Sequence, residues 1–151
     1  MASIGEGSIA VRAATDADRA AASAFIPPNT PRGGASRALL GTGLGLLWVA
    51  HETAGGAEQL VGLLLATAQI APLTEELTGY IQELLVHPAY RRRGVAMHLL
   101  DAAERYFLAD AGFAEVALVT SPDNEAALRL YRSRGYTISS VRLAKRRGVA
   151  S

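Results

Sequence analysis

The amino-acid sequence predicts a mixed α/β fold in three layers, a central sheet with helices on both faces. Three observations lead there. Apolar runs separated by turn signals crowd the first half of the chain, and two strand-then-helix alternations fill the second. At 151 residues, 50% of them hydrophobic, the chain can bury one sizeable core and leaves little for another. The expectation is a single domain over residues 1–151, with flexible ends at about 1–7 and 145–151.

Taken in order, Ile9-Ala10-Val11-Arg12 alternates and suits a short first strand. Thr15 stands where a helix N-cap belongs, Asp16 and Asp18 follow in the dipole-favoured first turn, and the Ala-rich run to Phe25 is a good helix former. Pro27-Pro28 ends it. Asn29 to Ala35 is a Pro/Gly-rich loop, and Ser36 to Leu40 is a second short helix stopping at Gly41. Gly41-Thr-Gly-Leu-Gly45 invites a dinucleotide-binding interpretation, but the last glycine would be due at Leu46, and the strand before and long helix after are missing. It is a turn. Leu46–Glu52 and Leu60–Ile70 are strands joined by the hairpin signal Thr53-Ala-Gly-Gly-Ala. The second is nearly continuous in Val, Leu and Ala, hence covered on both faces and central. Ala71–Leu77 is a loop carrying Pro72, Glu75 and Glu76, and Gly79–Val86 is a strand closed by Pro88. A helix from about Gly94 to Ala111 follows, and Gly112 stops it. Val116–Thr120 is a short buried strand. Asp123 caps a helix to about Arg134, where Gly135 ends it, and Tyr136–Leu143 forms a last strand.

Composition excludes several classes. No apolar run approaches the ~20 residues that span a bilayer, so no membrane association is expected. Met1–Ser8 lacks the basic and apolar regions of a secretory signal, and cytoplasm is the default location. The absence of cysteine removes disulfides, thiolate metal sites and a cysteine nucleophile. His51 and His98 have no companion at ligand spacing, so no metal is expected. A net charge of +1 implies no general attraction to nucleic acid. The basic tail of Arg142, Lys145, Arg146 and Arg147 reads as a solvated end.

The stretch Leu84 to Ala96 organises the chain. A buried strand ends at Pro88, and a short loop delivers Arg91-x-x-Gly94-x-Ala96 to a helix whose Val95, Leu99, Ala103 and Phe107 form an apolar stripe. Glycine lets a ligand approach the backbone closely. The first helical turn offers unpaired N–H groups and a positive dipole end, with Arg91, Arg92 and Arg93 beside it. That is an anion site, and phosphate is the expected anion.

Arg91-x-x-Gly94-x-Ala96 after a Leu-x-Val-x-Pro strand resembles the acyl-CoA signature of the GNAT N-acetyltransferase superfamily, Gln/Arg-x-x-Gly-x-Gly/Ala. Asn124, Tyr131 and Gly135-Tyr136 resemble that family's later motif, Asn-x-x-Ala-x-x-x-Tyr-x-x-x-Gly-Phe, with Tyr136 where Phe is usual. The resemblance runs from about Gln82 to Tyr136. It implies a mostly antiparallel sheet splayed between the strands holding Val86 and Val119, with acetyl-CoA as co-substrate. An amine of a small molecule or peptide would be the acceptor. Members often dimerise, and no segment here fixes a symmetry.

The resemblance also implies roles. The backbone from Arg91 through Arg92, Arg93, Gly94 and Val95 to Ala96 would hold the pyrophosphate. Leu84, Leu85 and Val86 would pair with the peptide-like pantetheine arm, and an N–H near Leu85 or Val86 would face the thioester carbonyl. Glu83 alternates away from Leu84 and Val86 and is the candidate base, directly or through a water; alternatively it pairs with a surface arginine. Tyr131 resembles the family's general acid, and otherwise it is a core aromatic. Asn124 holds the pantetheine arm or is simply a first-turn residue. His87 relays a proton or is a solvated strand-end residue. The subgroup acting on ribosomal-protein N-termini carries a glutamate where this chain has Val119, so its substrate does not carry over. Two rivals remain: an idle CoA-binding module, and a nucleic-acid-binding domain built on the arginines.

Overall fold

The structure is a computed structural model describing residues 8–27, 33–71 and 73–148. The expected end at 1–7, the last three residues of the expected end at 145–151, Pro28, most of the loop from Asn29, and Pro72 lie outside those residues. The chain divides into two compact units, the first ending at Leu118 and the second beginning at Val119.

The first unit is a five-stranded sheet in the order β1-β2-β3-β4-β5. Its elements are β1 Ser8–Ala13, α1 Asp16–Phe25, α2 Gly33–Gly41, β2 Leu46–Ala54, β3 Ala57–Ile70, β4 Leu77–Val86, α3 Val95–Glu104 and β5 Glu115–Leu118. β1 to β4 are antiparallel neighbours, and β5 joins β4 in parallel, giving the mixed α/β sheet that was expected. Gly55 and Gly56 form the β2–β3 turn with φ of +59° and +80°. Both central residues of such a two-residue turn need the left-handed region, which glycine occupies without penalty.

Both sheet faces are covered. Ala22 and Ile26 of the first helical segment and Leu40 of α2 pack on Leu47, Val49, Leu63 and Leu65. On the opposite face α3 buries Val95, Leu99, Leu100 and Ala103. The helix then widens into a π-helical turn, Arg105–Asp110, that carries buried Phe107. β3 lies between these layers with Val61 and Leu63 to Ala66 fully buried, the central strand its continuous hydrophobicity implied. At Gly62 an added Cβ would stand 3.0 Å from Val95 Cγ1 and 3.2 Å from Leu99 Cδ1. Its missing side chain is what lets the start of α3 settle beside the end of β4.

Several boundaries differ from expectation. The chain is already helical at Gly33, within the span read as loop. β5 stops at Leu118, so Val119 is not part of a strand and is 38% exposed. In the second unit, α4 spans Glu125–Ser133 with Asn124, not Asp123, as its N-cap: Ala127 N–H donates to Asn124 Oδ1 at 3.1 Å. α4 ends as expected at Gly135, through paired bonds from Gly135 N–H to Arg132 C=O and Tyr136 N–H to Tyr131 C=O, each 3.0 Å. The expected last strand, Tyr136–Leu143, is absent: no strand is described there, and Ile138, Val141 and Leu143 are 78%, 84% and 90% exposed. Its alternation is weak, and a lone extended segment gains stability only when a neighbouring strand satisfies its main chain. No described helix is long and apolar enough to cross a membrane.

Candidate active site

The site begins where β4 outruns its neighbour. β5 pairs with β4 only from Thr78↔Glu115 to Ile81↔Leu118, so Gln82 to Val86 extend beyond the ladder on that side. A register shift between Leu65 and Ala66 leaves Gln82 as an extra residue of β4, a bulge at the point of separation. His87 N–H donates to Val61 C=O at 2.8 Å. Antiparallel alternation then directs the main-chain groups of Leu85 and Glu83 into the β3 ladder and those of Val86 and Leu84 outward to the open edge. Of the two N–H groups singled out from the sequence, Val86 offers the outward one.

Beyond β4, His87 N-caps a 3-10 turn over Pro88–Tyr90, its Nδ1 accepting from Ala89 N–H at 3.1 Å. Arg92 and Gly94 then take left-handed φ values of +64° and +78°. Gly94 is the N-cap of α3 and supplies no side-chain cap. The first helical bond, His98 N–H to Gly94 C=O, is 3.0 Å, so the N–H groups of Val95 to Met97 precede the ladder. Arg91 and Arg92 are exposed. Arg93 is exposed too, but its guanidinium is turned toward Glu52, Nη2 lying 3.8 Å from Glu52 Oε1 and the guanidinium 5.0 Å from the Tyr90 ring centroid. Tyr90 donates its phenol proton to Glu52 Oε2. That bond, with burial and the negative charge of Glu52, raises the Tyr90 pKa above its ordinary value.

Glu83 lies on the α1/α2 face, opposite Leu84 and Val86, as alternation required. Ser36 Oγ, buried on α2, donates to Glu83 Oε1 at 2.9 Å, and no arginine pairs with this carboxylate among the described residues. Asn124 and Tyr131 belong to the second unit, two turns apart on α4. The cap bond occupies Asn124 Oδ1 and leaves its amide N–H groups as donors. The Tyr131 and Tyr136 rings meet edge to face at 5.6 Å, fastened by the helix-end hydrogen bonds.

Sequence reasoning missed Ser36, Glu52 and Tyr90. Glu52 is separated from Tyr90 by 38 positions and Ser36 from Glu83 by 47. A polar Glu52 closing an apolar strand was the one available signal.

The sheet thus parts beside an uncapped, glycine-led helix start, at the residues of the signature read from the sequence. The chain belongs to the acetyltransferase (GNAT) family, whose model matches residues 30–136. It is 34% identical over 100 residues to N-acetyltransferase family 8 member 3 of Rattus norvegicus, covering 66% of this chain and 42% of that protein. It is 40% identical over 58 residues to N-alpha-acetyltransferase 30 of Xenopus laevis, covering 38% and 21%. The chain thus spans less than half the length of these curated relatives. Among solved structures, aminoglycoside N-acetyltransferase AAC(6')-Iy in complex with CoA superposes with a TM-score of 0.74 at 19% identity, covering 95% of this chain and 97% of that one. An aminoglycoside acetyltransferase from an uncultured soil metagenomic sample gives 0.67 at 24% identity, covering 92% and 98%. These likenesses establish the fold.

Proposed function

We propose that the chain is an N-acetyltransferase that moves an acetyl group from acetyl-CoA to a primary amine of a small molecule or peptide by direct attack. The observation that carries this is the left-handed, uncapped Gly94 start of α3 beside the outward main chain of Leu84 and Val86. These residues fit the ligand. A diphosphate needs N–H donors and positive charge, which the main chain from Arg91 to Ala96 and the side chains of Arg91 and Arg92 offer. The nearest atoms to a Cβ built on Gly94 are those of the His98 ring at 3.9 Å, an ordinary van der Waals distance, so the approach to its backbone is open. The pantetheine amides would pair with the free edge of β4, and Asn124 would add a side-chain amide donor.

Acetyl-CoA supplies the activated acetyl group as a thioester. Val86 N–H would donate to the carbonyl oxygen as negative charge gathers there. A lysine-type amine has a pKa of about 10.4 and must lose a proton before it attacks. Glu83 would take that proton, directly or through a water. Ser36 occupies Oε1 and holds the carboxylate, while Oε2 has no hydrogen-bond partner among the described residues. Tyr131 would give a proton to the departing thiolate, since a phenol group keeps its proton at neutral pH while a thiolate accepts one. The family model's match across both units supports treating them as one catalytic domain. The names of the relatives make aminoglycosides and peptide α-amines the first acceptors to try.

The test is thiol release from acetyl-CoA over a panel of aminoglycosides, peptides and polyamines. Tyr131→Phe is expected to lower kcat about 10²-fold or more while the CoA dissociation constant stays within twofold. Unchanged turnover would remove Tyr131 from the mechanism, and a chain that neither binds nor consumes acetyl-CoA would overturn the proposal.

A further inference from the structure

Glu52 is only 7% exposed, and no step of the chemistry above uses it. A buried carboxylate is unfavourable unless it is paired, so the pairing it has is informative. Its two oxygens are turned to the two residues that bracket the loop before α3. Oε2 accepts from the Tyr90 phenol, and Oε1 faces Arg93 Nη2 at 3.8 Å. Arg93 in turn lies over the Tyr90 ring at 5.0 Å. Behind them, Tyr90 N–H bonds to His87 C=O and His87 N–H to Val61 C=O, both at 2.8 Å, and the His87 and Tyr90 rings meet edge to face at 5.7 Å. Between the two held side chains sits Arg92, at φ +64°, a conformation disfavoured for any residue bearing a Cβ.

We infer that Glu52 is the positioning residue of the diphosphate-binding turn. From β2, a strand that does not itself line the turn, it grips Tyr90 and Arg93. That fixes the main chain on both sides of Arg92 and sets the donors at Gly94 to Ala96 before ligand arrives, which lowers the ordering cost of binding. The Arg93 guanidinium, 40% exposed, is thereby turned toward Glu52 and Tyr90, and Arg93 contributes to the turn through its main chain. Arg91 and Arg92, which form no ion pair among the described residues, carry the charge that meets the phosphates. The inference rests on the acyl-CoA assignment above and adds to it a residue outside the signature.

The experiment compares CoA with pantetheine, which shares the arm and lacks the diphosphate, titrating each by NMR into the whole chain and into Glu52→Ala, Glu52→Gln and Tyr90→Phe. A positioning role predicts that the preference for CoA over pantetheine falls about tenfold in Glu52→Ala and severalfold in Tyr90→Phe. Glu52→Gln, which keeps an acceptor for Tyr90 but no charge for Arg93, should fall between. A purely structural role would weaken both ligands alike, or neither, and either result overturns the inference. Should Glu52→Ala not fold, Tyr90→Phe alone decides, since it retains the ring and removes only the bond to Glu52. If the unaltered chain fails to bind CoA, the acyl-CoA assignment falls and the inference with it; normal CoA binding with an unmoved preference defeats the inference alone.

Discussion

Replacing Gly94 by alanine separates what the backbone needs from what the ligand needs. The residue sits at φ +78°, ψ +10°, where an L side chain costs about 1–2 kcal/mol. A Cβ there would meet only His98 Cδ2 and Nε2, both at 3.9 Å, an ordinary van der Waals distance, so no packing penalty adds to the strain. The folded chain should lose about 1–2 kcal/mol, which is about 2–8 °C in Tm for a protein of this size. Binding should suffer more. A methyl group over the first turn of α3 keeps a phosphate from its donors, and losing one charge-assisted bond costs about 1.5–3 kcal/mol, or roughly ten- to hundredfold in Kd. Thermal melts with and without acetyl-CoA read both quantities. At 100 times the wild-type Kd the ligand stabilises the unaltered protein by about 2.7 kcal/mol, whereas a Kd ten- to hundredfold weaker leaves roughly 0.4–1.4 kcal/mol at the same concentration. A variant that melts lower alone yet keeps its full acetyl-CoA stabilisation would refute the placement of the diphosphate at Gly94.

Asp18 provides a test in acid. Its carboxylate accepts from Arg12 Nη1 at 2.5 Å and from Thr15 N–H at 2.7 Å. Chiefly through the Arg12 hydrogen bond, and against the opposing effect of burial, its pKa is lowered from 3.8 to about 2. A depressed carboxylate adds stability that is complete above the unfolded value and lost as pH falls from about 4 towards 2. That gap corresponds to roughly 2 kcal/mol. Asp18→Asn should therefore flatten the acid limb of denaturant-measured stability between pH 4 and 2, and an unaltered slope would contradict the assignment. Gly79→Ala addresses packing, because a Cβ there would overlap the ring of fully buried Phe107. The expected loss is about 1–3 kcal/mol, with partial recovery in Gly79→Ala/Phe107→Leu. A Gly79→Ala melt matching the parent would show that the Phe107 ring moves aside freely.

Much of the candidate site's local geometry was legible because its signals are local. A glycine that must take a left-handed φ, a proline that closes a strand and a helix start that follows at once lie within a dozen residues. The alternation that separates Glu83 from Leu84 and Val86 needs only the pleat of one strand. What escaped depends on register and on distance. Choosing between Leu85 and Val86 as the outward N–H required the phase of the β3–β4 ladder. Ser36 and Glu52 reach their companions across the layers of the fold. Asp123 and Asn124 are comparable caps by residue type, and the chain's entry into α4 decided between them. The alternation of Tyr136–Leu143 was too weak to imply a strand without a neighbour to receive it.

By itself, the order of residues determined the fold class, the family and the turn that follows Pro88, since periodicity, turn chemistry and a contiguous signature are properties of neighbouring positions. Only the tertiary structure decided where β5 parts from β4, which main-chain groups face the gap, and that a carboxylate on β2 grips the arginine turn. Those depend on which strands pair, in which register, and on buried charges finding partners far along the chain.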